Sequence, residues 1–116
     1  LGEIPSRKFT TTELAQYDGT DPTHILVAVK GNVYRVSPQY YGKGQSYNCF
    51  AGTDCSRNLG KGIIGKDEAN ADWRTLNDDH MSVLNSWERR FQEKYVIVGT
   101  IVEDEEFTRR GKEFSP

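Results

Sequence analysis

Apolar positions along the chain group into three β-rich runs and one long periodic stretch. Ile25-Leu26-Val27-Ala28-Val29 is a continuous apolar run rich in β-branched side chains, and Lys30-Gly31-Asn32 separates it from Val33-Tyr34-Arg35-Val36. Gly-Asn between two such runs predicts a β-hairpin. A third run, Val96-Ile97-Val98-Gly99-Thr100-Ile101-Val102, predicts a further strand. Just before it, Met81, Leu84, Trp87 and Phe91 recur at three- and four-residue spacing, which puts them on one face of a helix. That helix starts at Asp78-Asp79 and ends near Lys94-Tyr95. Its other face carries Glu88, Arg89, Gln92 and Glu93, with Arg89 and Glu93 spaced to pair. The aromatic stripe reads as core rather than as a cofactor box. Upstream, Thr10 and Glu13 form a capping box and Phe9 faces Leu14 as a hydrophobic staple. This predicts a short helix through about Tyr17, stopped by Gly19. Periodicity is weak over residues 62–77, where residues 67–73 suit a turn or two of helix with Trp73 packed inward.

The stretch from 40 to 60 breaks the pattern. It places Tyr40, Tyr41, Tyr47 and Phe50 among Gly42, Gly44, Gly52 and Gly60. Glycines at 42 and 44 argue against helix or regular strand there. Ser46 or Asp54 is placed to cap a short helix, and Gly60 to end the second one. Tyr47 is therefore expected at the mouth of a loop, where a short helix begins, with Tyr41 held nearby.

Length and composition limit what these elements build. The 116 residues suit one domain of α+β class, with residues 1–8 a loose lead-in and 103–116 a charged, solvated tail. A net charge of −2 with no basic stripe gives no reason to expect nucleic acid. No apolar run is long enough to cross a bilayer, and no signal peptide is visible. The chain begins at Leu1, so a fragment with a missing upstream anchor or signal is expected. Cys49 and Cys55 do not make a disulfide framework and read as two small buried or half-buried thiols.

Chemistry narrows by elimination. His24 and His80 read as surface residues, and neither accompanies a nucleophile. No cysteine–histidine cluster has zinc spacing, the glycines match no phosphate-binding pattern, and the carboxylates are scattered. The phenols remain. A tyrosinate is a hard anionic oxygen ligand, one of the few side chains that holds haem iron alone.

Phe9-Thr10 with Glu13-Leu14, Tyr17-Asp18-Gly19, the run from Val27 to Tyr34, Tyr41-Gly42, Tyr47, Phe50-Ala51-Gly52, Asp54-Cys55-Ser56-Arg57 and Leu59 together form a recognisable pattern. Leu84-Asn85-Ser86-Trp87-Glu88, Phe91, Lys94-Tyr95 and Val98-Gly99 continue it. The chain resembles the membrane-associated progesterone receptor family, the cytochrome b5-like haem/steroid-binding group that includes neudesin and neuferricin. The resemblance covers about 9–102.

It implies a cytochrome b5-like fold: a small mixed sheet, short helices forming a haem pocket, and one longer C-terminal helix. It implies ferric haem b bound through Tyr47, with Tyr41, Lys94 and Tyr95 lining the same pocket. Hydrogen bonds from the neighbours favour the charged phenolate. The segment before Tyr41 is about two residues shorter than usual in the family, and Cys55 stands where alanine is common. By resemblance the domain is not an enzyme but a regulator or haem chaperone for haem-thiolate monooxygenases of sterol metabolism, in the endoplasmic reticulum. The alternative is a non-catalytic steroid-binding or secreted signalling module in which haem is absent or incidental. Implied partners are haem, a monooxygenase, a steroid and a second copy of the chain.

Overall fold

A computed structural model describes residues 7–116. Four strands, β1 (Lys8–Phe9), β2 (Leu26–Val29), β3 (Asn32–Arg35) and β4 (Val96–Ile101), form one mixed sheet in the order β1-β4-β3-β2. β1 runs parallel to β4, and the other neighbours are antiparallel. The helices are α1 (Thr11–Leu14), α2 (Pro38–Tyr41), α3 (Ser56–Lys61), α4 (Asp78–Lys94) and α5 (Glu105–Glu113), with a 3-10 turn at Asn48–Phe50. The mixed sheet, short helices and one long helix agree with the expected cytochrome b5-like architecture.

The apolar run of β2 is continuous because the sheet is covered on both faces. Val27, Val29 and Tyr34 point into the larger core with Leu59, Leu84 and Phe91. Leu26, Ala28 and Val33 point into the smaller one with Phe9, Leu14 and Ile101. The period-two alternation thus divides the strands between two cores.

Several details depart from the sequence reading. The hairpin turn is Lys30-Gly31, not Gly31-Asn32. Both turn residues have positive φ (50° and 83°), as a two-residue type I′ turn requires, and Asn32 already pairs with Val29. Lys30 is held there by its backbone N–H, which donates to Ser56 Oγ at 2.8 Å. The capping box at Thr10 forms as expected, but α1 ends at Leu14 and tapers to Tyr17 through tighter bonds. Of the lead-in, residues 1–6 lie outside the described residues, while Lys8 pairs with Thr100 as an edge strand. Gly99 makes room for that strand: a Cβ there meets the Arg7 carbonyl at 2.5 Å and the Phe9 ring at 2.8 Å.

Gly60 does not end α3. It lies inside the helix, where a Cβ meets the His80 carbonyl oxygen at 2.9 Å, so it is the close-approach point against α4. Gly62, at φ 71°, is the left-handed cap. Asp54 does serve α3, accepting from the Ser56 N–H at 2.9 Å, although Cys55 holds the cap position. Residues 67–73 form turns without helix. On α4, Asn77 caps the first turn, and Arg89 donates to Ser86 Oγ rather than pairing with Glu93. Cys49 and Cys55 are free thiols, half-buried and buried.

The stretch after Glu103 is not a solvated tail. Glu105–Glu113 form α5, capped by Asp104, with Phe107 buried. Arg57 holds the chain beyond α5 in place. It is fully buried, pairs with Glu68 at 2.7 Å, and donates to the carbonyls of Asp72 and Ser115. Burial pushes the Glu68 carboxyl up, but hydrogen bonds from Lys61 and Arg57 outweigh it and hold the group below its ordinary value. Removing Arg57 leaves Glu68 to Lys61 alone and takes the donor from the Asp72 and Ser115 carbonyls. Arg57→Ala is therefore expected to cost about 3–5 kcal/mol in chemical denaturation, with protease cutting inside α5 at lower denaturant than in the parent.

Asp54 is buried with Oδ2 unpartnered. Burial raises its carboxyl from 3.8 to about 7, and the Ser56 hydrogen bonds only partly offset this. An acid raised in the fold binds protons there that the unfolded chain has released. Its burial penalty is thus absent below pH 3.8, builds as pH rises, and is complete above about pH 7. Asp54→Asn keeps the acceptor for Ser56. Its stability should equal the parent's near the acid end of this window and exceed it by on the order of 1–3 kcal/mol at alkaline pH, read from denaturation midpoints across the range.

Candidate functional site

α2 and the last two turns of α4 enclose a groove of about 140 Å³ lined by Tyr40, Tyr41, Tyr47, Trp87, Arg90, Phe91, Lys94 and Tyr95. All four residues singled out from the sequence, Tyr41, Tyr47, Lys94 and Tyr95, line it. They arrive from three segments: the end of α2, the loop after it, and the end of α4.

Local chemistry sets each position. Pro38 stands at the start of α2, where its missing N–H costs nothing, and the helix stops after one turn at Gly42. A Cβ at Gly42 would meet the Pro38 carbonyl at 2.6 Å. Gly44 has φ 82°, and the loop returns so that the Tyr47 N–H donates to the Tyr40 carbonyl at 3.1 Å. Asn48 fastens this loop from below, its Nδ2 donating to the carbonyls of Tyr41 (2.9 Å) and Asp18 (3.1 Å). Tyr47 stands immediately before the 3-10 turn, as its place at a loop mouth predicted.

The rings make one connected aromatic cluster. Tyr41 lies 5.8 Å from Tyr47, 6.3 Å from Tyr95 and 6.2 Å from Phe91, centroid to centroid. Tyr47 stacks on Phe50 at 5.8 Å and meets the edge of Trp87 at 6.4 Å. The phenols differ in setting. Tyr41 is 3% exposed, and burial, followed by the neighbouring Cys55, Tyr95 and Tyr47, pushes its hydroxyl far above the ordinary range. Tyr41 therefore stays protonated and offers a donor. Tyr47 is half-buried, with its ring on the groove wall.

Trp87 and Phe91 correct the sequence reading of the α4 stripe as core alone. Phe91 is buried and Trp87 half-buried, yet both also form the groove wall. Arg90 and Phe91 follow Trp87 at three and four residues, and Lys94 follows them at four and three, which gathers all four along one helix edge. The signal for Arg90 was that spacing from Lys94. The ammonium of Lys94 stands 4.2 Å over the Tyr40 ring, and the guanidinium of Arg90 5.1 Å over Trp87. Neither His24 nor His80 lines the groove; His80 Nδ1 lies 2.7 Å from the Pro116 carbonyl.

The donor set suits a haem. Aromatic walls meet a macrocycle's apolar face, a phenol oxygen is a recognised iron ligand, and rim cations meet carboxylates. The groove is smaller than the usual range of about 300–1,000 Å³ for enclosed ligand sites, which suits a ligand held along one face and left open on the other.

Comparison with known proteins places this geometry in a family. Residues 10–102 match the family described as "Cytochrome b5-like Heme/Steroid binding domain". "Probable steroid-binding protein 3" of Arabidopsis thaliana is 40% identical over 98 residues, 82% of this chain and 98% of that protein. "Membrane-associated progesterone receptor component 2" of Rattus norvegicus is 36% identical over 88% of this chain and 49% of its own length. "Cytochrome P450 regulator dap1" of Schizosaccharomyces pombe is 34% identical over 86% and 66%. The chain thus spans nearly all of the first relative and from half to two thirds of the others. A solved Arabidopsis thaliana protein, described as having a cytochrome b5-like fold, superposes with a TM-score of 0.75 at 37% identity, covering 88% of this chain and 94% of that one. The resemblance drawn from the sequence holds, and the chain belongs to the cytochrome b5-like haem/steroid-binding domain family.

Proposed function

We propose that the domain binds one ferric haem b through the Tyr47 oxygen and acts as a regulator or haem chaperone for haem-thiolate monooxygenases of sterol metabolism. The observation that carries this is the convergence of three phenols and a lysine from separate segments on one aromatic groove. Bound haem supplies an iron centre that an anionic oxygen ligand favours in the ferric state.

The residues divide the work by environment. Tyr47, half-buried on the groove wall, is the phenol that the family pattern assigns to the metal. Tyr41, locked neutral by burial, donates toward the ligand oxygen and favours its charged form. Tyr95 closes the groove beside Tyr41. Lys94 offers positive charge to a carboxylate at the rim. No histidine lines the groove, so a bound haem would be held through the Tyr47 oxygen. No acid–base pair accompanies the phenols, which supports a binding role over catalysis.

The regulatory half of the reading draws on the fission yeast relative named a cytochrome P450 regulator. The relative named membrane-associated supports a place at a membrane, which we take to be the endoplasmic reticulum. Among the described residues no helix is long and apolar enough to cross a membrane. A second reading, a steroid site, draws on the aromatic lining and on the relative named a steroid-binding protein.

Hemin titration of two single-atom deletions tests the ligand assignment. Tyr47→Phe keeps the ring but removes its oxygen, so hemin uptake and the tyrosinate charge-transfer absorption should be lost or strongly reduced. The haem-free variant should stay within about 1 kcal/mol of the parent in stability. Tyr41→Phe should cost less haem, because it removes a donor and leaves the ligand. The reverse order would hand the ligand role to Tyr41.

A further inference from the structure

Arg90 lines the groove one turn before Lys94. Lys94 alone has an ordinary explanation, since a cation in the last turn of a helix complements its dipole. Arg90 lies a full turn further in, where that effect has faded.

Among the described residues the groove lining contains two cations and no carboxylate, in a chain whose net charge is −2. Neither cation has an ion-pair partner among the described residues. On the same helix Glu88 is engaged by Lys30 at 3.3 Å, and Glu93 does not line the groove. Each cation rests on an aromatic wall, Arg90 over Trp87 and Lys94 over Tyr40. Such stacking holds the charge at the rim before any ligand arrives. Side chains four residues apart stand about 5–6 Å apart at Cβ, so the two heads can meet two separate carboxylates on one ligand edge. A guanidinium also presents a planar fork that matches a carboxylate with two parallel bonds, which an ammonium cannot do.

We propose that Arg90 is a second carboxylate-recognising residue, and that the Arg90–Lys94 pair selects a planar polycycle carrying two carboxylates over a neutral one of similar apolar face. This rests on the haem reading and adds the source of its ligand selectivity. A neutral steroid offers the cations at most a carbonyl or hydroxyl oxygen and no negative charge, so the pair favours one of the two ligand classes named in the family description over the other.

The test uses ferric protoporphyrin IX, its dimethyl ester and progesterone as probes. Binding is followed by absorption for the porphyrins and by tryptophan fluorescence for the steroid. The parent should bind the diacid more tightly than the diester. Arg90→Gln should weaken the diacid about fivefold, the upper end for an exposed ion pair, while leaving the diester and the steroid unchanged. Arg90→Lys should restore part of the loss, and the parent's preference for the diacid should shrink with added salt more than the variant's. Lys94→Gln should produce a partial loss of the same kind. Arg90 is exposed, so the variant should fold as the parent does, with circular dichroism as the control. If Arg90→Gln keeps the parent's preference for the diacid, or weakens diacid and diester alike, the role of Arg90 is overturned while the haem reading stands. If the parent takes up neither porphyrin, the haem reading falls and the inference falls with it.

Discussion

Phe91 is the side chain on which the rest of the structure turns. Its ring is 5.3 Å from Tyr34 in the sheet, 6.2 Å from Tyr41 at the end of α2, 5.4 Å from Tyr95 and 6.5 Å from Trp87. It is almost fully buried, and it joins the larger core to the groove floor. Because α4 must bury Leu84 beside Gly60 of α3 and Phe91 against Tyr34 of the sheet, the helix edge one step round is fixed as well. That edge carries Trp87, Arg90 and Lys94. The site is therefore a by-product of core packing: the hydrophobic burial that holds α4 down also orients the polar residues beside it.

The same packing explains how similar side chains receive different chemistry. Tyr41 lies against Phe91 and is sealed from water, which costs its anion far more than its neutral form. Tyr47 hangs from a glycine-bearing loop whose carbonyls are fastened by Asn48, and it keeps part of its surface open. A protonated donor, Tyr41, thus stands beside a half-buried phenol on the groove wall. The rim cations complete an arrangement of apolar floor, oxygen donor and positive edge.

How far this was legible in the sequence depended on whether a signal was local. The capping box at Thr10, the period of α4 and the apolar runs of β2 and β4 are local patterns, and each formed. Gly60 reads from the sequence as the helix end, whereas Gly62 takes that place, because either glycine looks like a cap. Only the approach of α3 to His80 on α4, a tertiary fact, decides which one must lack a Cβ. β1 is two residues long and exists because Gly99 admits it, so no run of β-formers announced it. α5 was hidden by its charge. Its burial rests chiefly on Phe107 and Gly111, and the chain beyond it is held by Arg57, 58 residues away from Ser115. The site residues were found by type and family pattern. The dual use of Trp87 and Phe91 was not, because spacing reports which face is buried and not whether a groove opens at its edge.

The central claim is that a tyrosine oxygen in this groove holds the iron. Resonance Raman spectroscopy of hemin-loaded protein carrying ring-deuterated tyrosine tests it directly. The account predicts high-spin ferric haem with phenolate modes that shift on deuteration and vanish in Tyr47→Phe. A low-spin spectrum with imidazole ligation, or a haem spectrum indifferent to the tyrosine label, would contradict it.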